Sequence, residues 1–249
     1  MNDNQLLRYS RQIMLPEFDY DGQQALLDAQ VLVVGVGGLG SPVAMYLAAA
    51  GVGHLVLVDD DVVDFSNLQR QIAHTEQTVD QPKVDSAAAS IAHLNSDVKV
   101  TCLPQRLSGD LMVEQVQAAD VVVDCSDNLP TRSALNQVCW QMHTPLVSGA
   151  AIRFEGQLSV FDSRDPNSPC YTCLHHQTGN LDATCAANGV ISPVVGIIGA
   201  MQALETIKLL AQVGEPAVGK LMMFDGLTAQ WRSFGLPRLP ECQVCGGME

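Results

Sequence analysis

The side chains in this sequence that could do chemistry fall into two sets, one suited to a nucleoside phosphate and one to a soft metal. The first set begins at Gly35-Val36-Gly37-Gly38-Leu39-Gly40, a G-x-G-x-x-G turn between an apolar run at 31–34 and an apolar, helix-like stretch at 39–50. Glycines at these places permit a tight turn and close approach of a phosphate to the backbone. The helix that follows offers free N–H groups and a partial positive charge. Asp59 ends the next apolar run, 19 residues beyond Gly40, where an acid can hydrogen-bond ribose hydroxyls. On this turn alone a nicotinamide dinucleotide is the first expectation. The bland alternative is that the glycines merely pack helix against strand.

Three further segments do not belong to a dinucleotide enzyme. Ser66-Asn67-Leu68-Gln69-Arg70-Gln71 follows the acidic strand end Asp59-Asp60-Asp61. Gln81-Pro82-Lys83 opens a helix, in a chain with only four lysines. Asp124-Cys125-Ser126-Asp127-Asn128 ends a strand at the sheet edge where open α/β folds bind ligands. Each alone reads as a helix cap or a surface charge. As a set they direct Asn67, Arg70, Lys83 and Asp127 at one nucleotide. Two cations and an amide can hold a triphosphate, and a carboxylate can hold Mg²⁺.

The second set is Cys170-Tyr171-Thr172-Cys173 and Cys242-Gln243-Val244-Cys245, two C-x-x-C knuckles with 68 residues between Cys173 and Cys242. That gap is long for a single zinc ribbon, but two knuckles supply four thiolates for one tetrahedral Zn²⁺. A closed site of this kind is structural and would pin the C-terminal segment to the 163–190 region. Neither knuckle is expected to open a helix after a strand, which disfavours a thioredoxin-like redox motif. Cys102, Cys125 and Cys139 fall in strand or helix patterns and read as small core residues. The histidines show no ligand spacing and are taken as surface residues.

These residues need a scaffold, and the hydrophobic pattern supplies one. Amphipathic helices are expected at 4–15 and 22–29. Strand-like runs at 31–34, 54–60, 98–103, 120–125 and 144–151 alternate with helical stretches at 39–50, 81–94, 110–117 and 128–142. This alternation predicts a Rossmann-like α/β parallel sheet with helices on both faces. Beyond residue 151 a strand at 154–162 follows so closely that it must run antiparallel to its predecessor. A loop-rich stretch at 163–190, an apolar helix at 190–212 too apolar to lie on a surface, and a hairpin at 219–236 around Asp225-Gly226 complete the chain. The expected organisation is a single large domain: a nucleotide-binding half, 1–151, and an antiparallel half, 152–249, with a zinc-knuckle appendage.

Composition narrows the function. The chain has 249 residues, 47% hydrophobic and 16% charged, which suits a folded core and excludes a disordered chain. With 27 acids against 13 bases the net charge is −14, which disfavours nucleic acid and anionic membranes. No signal-peptide core is evident at the start. Residues 31–58 carry no formal charge, but their glycines and Pro42 favour strand–turn–helix–strand over a membrane span. A cytoplasmic location follows, where eight cysteines are metal ligands or core residues rather than disulfides.

Taken together, RYSRQI (8–13), GVGGLG (35–40), SNLQRQ (66–71), QPK (81–83) and DCSDN (124–128) resemble the MoeB/ThiF family of ubiquitin-activating-like adenylyltransferases. The resemblance runs from about residue 4 to 246. It implies ATP-dependent adenylation of the C-terminal glycine carboxylate of a ubiquitin-like sulfur-carrier protein, with release of pyrophosphate. By motif match, Gly38, Asp59, Ser66, Asn67, Leu68, Gln69, Arg70, Lys83, Asp127 and Asn128 contact the nucleotide, with Asp59 on ribose and Asp127 on Mg²⁺. Arg11 matches an arginine supplied by the second subunit of a homodimer. Cys185 lies where related enzymes form covalent sulfur links, although it has no neighbouring Lys or Arg to lower its pKa. Residues 145–153 with Glu155-Gly156-Gln157 are more like the molybdopterin-synthase branch. Gln230-Trp231-Arg232-Ser233 is more like the thiamine-thiazole branch.

Three other functions share part of the pattern. A nicotinamide-dependent oxidoreductase explains the glycine turn but not the three later segments. An enzyme adenylating a base in transfer RNA is disfavoured by the knuckles and the acidic charge. A non-catalytic partner subunit would not need Arg11, Arg70, Lys83 and Asp127. A chain ending at 249 is expected to lack an appended sulfurtransferase domain.

Overall fold

Runs made almost wholly of Val and Leu suit strands buried on both faces. Here they form β1 (Gln30–Val34), β2 (His54–Val58) and β4 (Val121–Asp124), and the more mixed β3 (Lys99–Leu103) and β5 (Leu146–Ile152) flank them, all mutually parallel. The antiparallel strands β6 (Glu155–Phe161), β7 (Lys220–Asp225) and β8 (Gln230–Gly235) extend the sheet, in the order β3-β2-β1-β4-β5-β6-β7-β8. The structure, a computed structural model, describes residues 1–178 and 189–246.

Strand side chains alternate between faces, and the core divides accordingly. Val31, Val33, Leu55, Leu57 and Val123 pack with α4 (Gly40–Ala50), α5 (Lys83–Leu94) and α9 (Ser192–Ala211). Leu32, Val34, Val56, Val58 and Val122 pack on the other side with α6 (Gly109–Ala118) and α7 (Leu129–Met142). Fully buried residues such as Val43 and Leu47 on α4 each contribute roughly 1.5–3 kcal/mol through burial. The result is the expected single α/β domain, with the antiparallel extension where the sequence placed it.

Several elements differ from the sequence expectation. The N-terminal helix is two short pieces, α1 (Asp3–Arg8) and α2 (Ser10–Ile13), broken at Tyr9. Tyr9 is buried, and its hydroxyl accepts from Asn95 Nδ2 at 2.9 Å. The chain turns there to keep the ring in the core. The next helix, α3 (Asp19–Asp28), starts three residues early. The 163–190 region contains a helix, α8 (Tyr171–Thr178). Helix α9 is long and apolar enough to cross a membrane by composition, yet it packs on α4, α3, β5 and β6. It is not wholly interior either, since Leu204 is 48% exposed. The 31–58 segment is β1, α4 and β2, as its glycines and proline implied.

Candidate active site

Strand order reverses at β1: the chain moves outward through β2 and β3 on one side and through β4 and β5 on the other. A crevice opens at such a switch, at the carboxyl ends of the strands. The structure has a cavity of about 470 Å³ there, lined by residues following β1, β2, β3 and β4.

The glycine turn forms its floor. Gly35 has φ +90°, and a Cβ on it would lie 2.7 Å from the Cys125 carbonyl oxygen. A Cβ on Gly40 would lie 1.9 Å from the Gly35 carbonyl oxygen, so any side chain there breaks the turn. Asp59, just beyond β2, accepts from the Val36 N–H at 2.7 Å and the Asp61 N–H at 2.9 Å. Burial raises its carboxyl above the usual range, opposed by the Val36 hydrogen bond and the Lys83 charge.

The cavity wall holds the cations. Asn67, Gln69 and Arg70 line it, with Gln71 Nε2 donating to Asn67 Oδ1 at 2.7 Å. Lys83, in the first turn of α5, points its Nζ at Asp61 Oδ2, 2.6 Å away. Opposite stand Asp127 and Asn128, and Asn128 caps α7 by accepting from the Thr131 N–H at 3.0 Å. Beneath them lies a buried polar network. Arg132 Nη2 donates to the carbonyls of Ser126 at 2.6 Å and Gly149 at 3.1 Å, and Asp124 accepts from Ser126 and from Ser148.

Of the residues the sequence singled out, the cavity gathers Gly38, Asp59, Asn67, Gln69, Arg70, Lys83, Asp127 and Asn128. Ser66 and Leu68 are not on its lining, and Ser66 bonds instead to Asp64. Arg11 is exposed on α2 and also lies off the lining. Sequence reasoning missed Asp60, Asp61, Gln105, Arg106 and Arg132, which line the cavity too. Gln105 and Arg106 follow the carboxyl end of β3, so the rule that found Asp59 and Asp127 could have found them.

The cysteines meet beside Trp140 of α7. The Sγ atoms of Cys170, Cys173, Cys242 and Cys245 all lie within 4.8 Å of one another. Cys170 to Cys242 is 3.5 Å and Cys173 to Cys245 is 3.3 Å. A disulfide needs about 2.05 Å. Four sulfurs around Zn²⁺ stand about 3.8 Å apart, given Zn–S bonds of about 2.3 Å. The tetrad therefore fits a tetrahedral zinc and no disulfide. Burial pushes the Cys170 thiol up to about 11. At Cys242 burial acts the same way, but N–H groups of Cys245 and Val244 favour the thiolate and bring it to about 7. The Leu239 N–H donates to Cys173 Sγ at 3.4 Å, and Trp140 of α7 packs against the cluster.

The first knuckle opens a helix, since Cys170 immediately precedes α8, but that helix follows the 162–170 loop and not a strand. The redox reading is not restored, because each knuckle's thiols sit within a four-sulfur cluster. Cys125 and Cys139 are buried core residues, while Cys102 is half-buried, and Cys185 lies outside the described residues. The histidines are not uniformly on the surface: His74 is buried, and half-buried His54 bonds to Thr101 Oγ1 at 2.8 Å.

The fold and this site define a class: a mixed-sheet α/β protein with a cavity at the β1/β4 switch lined by cations and a glycine turn, and a separate cluster of four thiols that could hold a metal. The chain belongs to the ThiF family, whose model matches residues 9–244. It is 50% identical over 246 residues to the molybdopterin-synthase adenylyltransferase of Salmonella typhimurium, covering 99% of this chain and 98% of that protein. It is 49% identical over 247 residues to the sulfur carrier protein ThiS adenylyltransferase of Escherichia coli, with the same two coverages of 99% and 98%. In fold it is similar to the crystal structure of Escherichia coli MccB with ATP, at a TM-score of 0.84 and 24% identity, covering 98% of this chain and 75% of that one.

Proposed function

We propose that this chain is an adenylyltransferase that uses ATP and Mg²⁺ to activate the C-terminal glycine carboxylate of a ubiquitin-like sulfur-carrier protein. The observation that carries this is the convergence of Arg70, Lys83 and Asp127 on one cavity floored by a glycine turn. A nicotinamide cofactor accounts for the turn and Asp59 but leaves those three without a role. Of the possible carriers, the small subunit of molybdopterin synthase is favoured by the β5–β6 sequence, and the thiamine-thiazole carrier is the second reading.

The chemistry asks little of acid–base groups. A terminal carboxylate, with a pKa of roughly 3.5, is already ionised near neutrality. Its obstacles are repulsion from the triphosphate and a poor leaving group. Its oxygen attacks the α-phosphorus, an acyl–O–P bond forms, and the bond to the β-phosphate oxygen breaks to release pyrophosphate. Asp59 binds the ribose, the turn around Gly38 approaches the phosphates, and Asn67, Arg70 and Lys83 neutralise and align them. Ser66, Leu68, Gln69 and Asn128 complete the nucleotide-binding segments. Asp127, exposed at the cavity edge, is a hard oxygen ligand suited to Mg²⁺, which would offset charge on the pyrophosphate. The cysteine tetrad would hold a structural Zn²⁺ and join the 170–173 and 242–245 segments.

We assign the active form as a homodimer in which Arg11 reaches the partner's cavity. Support comes from α4 and α9, which pack together and leave Tyr46 57% and Leu204 48% exposed. Acidic charge speaks against nucleic acid and membrane partners, and a cytoplasmic location suits the use of ATP. The test is ATP–pyrophosphate exchange with each purified carrier. Exchange with neither carrier overturns the proposal, and exchange with the thiazole carrier alone selects the second reading.

A further inference from the structure

His74 is 6% exposed, and the phosphate chemistry above does not use it. Both its ring nitrogens are engaged. Nε2 lies 3.0 Å from the Val36 carbonyl oxygen, and Nδ1 lies 2.9 Å from Ser86 Oγ. A carbonyl only accepts, so Nε2 carries a proton. The Ser86 hydroxyl also stands 2.8 Å from Thr78 Oγ1.

Three segments meet at this ring. Val36 belongs to the glycine turn, and its N–H is fixed from the other side by Asp59 at 2.7 Å. His74 closes the segment that contains Asn67 and Arg70, its own N–H donating to the Gln71 carbonyl at 3.1 Å. Ser86 stands on α5, three residues after Lys83. Burial favours the neutral ring, as does the Lys83 charge, while the bond to the Val36 carbonyl and Asp59 work the other way.

We propose that His74 is a positioning residue for the triphosphate: its imidazole ties the glycine turn, the Arg70 segment and the Lys83 helix into one preformed frame. This rests on the ATP-using function proposed above. A histidine that only filled the core would affect thermal stability without affecting ATP affinity in the folded protein.

The experiment is calorimetric ATP binding to wild type, His74→Gln, His74→Asn and Ser86→Ala, each shown to be folded by circular dichroism, together with KM and kcat in pyrophosphate exchange. The Gln amide N–H reaches toward the Nε2 position and keeps the bond to Val36. The Asn side chain reaches only the Nδ1 position and loses it. His74→Gln should bind ATP within about twofold of wild type, and His74→Asn should bind roughly three- to tenfold more weakly, the effect of one lost hydrogen bond. KM for ATP should rise to match while kcat changes little. Wild-type affinity in folded His74→Asn, or equal weakening in the Gln and Asn variants, overturns the proposal. If His74→Asn does not fold, Ser86→Ala decides, and unchanged affinity there overturns it. Failure of wild type itself to bind ATP would instead overturn the ATP-using function, and this proposal with it.

Discussion

Lys83 Nζ stands 2.6 Å from Asp61 Oδ2, with the lysine side chain 6% exposed and the aspartate 67%. Water screens so exposed a carboxylate, so the pair adds little to stability. Its consequence is directional: a buried cation is held at the cavity edge, and the Asp61 N–H is itself fixed by Asp59. Asp61 therefore both aims Lys83 and repels a triphosphate. Removing its charge should let metal-free ATP bind more tightly. Asp61→Asn is expected to raise that affinity by about two- to fivefold, the effect of one screened charge. Titration calorimetry without Mg²⁺ checks it, and weaker binding would mean that the aiming dominates.

The cations themselves should be indispensable. Arg70→Ala and Lys83→Ala are each expected to lower carrier-dependent pyrophosphate exchange by about 100-fold or more, because the reaction depends on neutralising phosphate charge. Far-ultraviolet circular dichroism should be unchanged in both. Near-normal exchange in either variant removes that residue from the clamp.

Metal content tests the cysteine tetrad. About one Zn²⁺ per chain is expected from elemental analysis, as four thiolates in a closed site require. Cys173→Ala and Cys245→Ala should lose metal and melt at lower temperature together, because the 170–173 and 242–245 segments come apart. Protein purified without chelators that holds no metal, or variants that melt normally, would contradict the structural-zinc role.

What the sequence made legible follows from what local patterns encode. Strand runs such as 31–34 and 121–123 are apolar on both faces, and the glycine turn has the steric need that its residues advertise. The tetrad was legible because C-x-x-C spacing already sets half its geometry. The break at Tyr9 was hidden, since it answers to Asn95 and to Gly51, a distant contact that no local window contains. His74 was hidden for the same reason, since its partners Val36 and Ser86 come from two other segments. Arg106, paired with Asp60 at 3.5 Å, was within reach of the strand-end rule, since it lies three residues beyond the end of β3.

Two histidines give the fold a pH dependence. Burial lowers both His54 and His74, helped by Lys99 in the first case and Lys83 in the second. Their folded values lie below the ordinary 6.5, so just below that pH the unfolded chain binds more protons than the folded one. Stability from these groups is fully present above the ordinary value and is lost as pH falls beneath it. Asp59 is raised and gives the opposite slope, but nearer the carboxylate range. The denaturation midpoint should drop between about pH 7 and pH 6, and His74→Gln should drop less. Equal slopes in wild type and variant would remove His74 from this linkage.

Arg11 gives the most specific expectation for the dimer. It is exposed on α2 and off the lining of its own chain's cavity, which suits the proposed role in the other subunit's cavity. An arginine supplied in trans is worth roughly 10³-fold or more in phosphoryl chemistry. Homodimers of Arg11→Ala and of Asp127→Ala should both be nearly inactive. In a mixed dimer, the subunit with Arg11→Ala keeps its own Asp127 and receives an intact Arg11 from its partner, so that site is whole. The other site carries both lesions. Random exchange at equal amounts makes half the dimers mixed, so about a quarter of all sites should recover. Exchange is followed by fluorescence transfer between labelled subunits and activity by pyrophosphate exchange. Subunit mixing without any return of activity would mean that Arg11 acts within its own subunit or takes no part in the reaction.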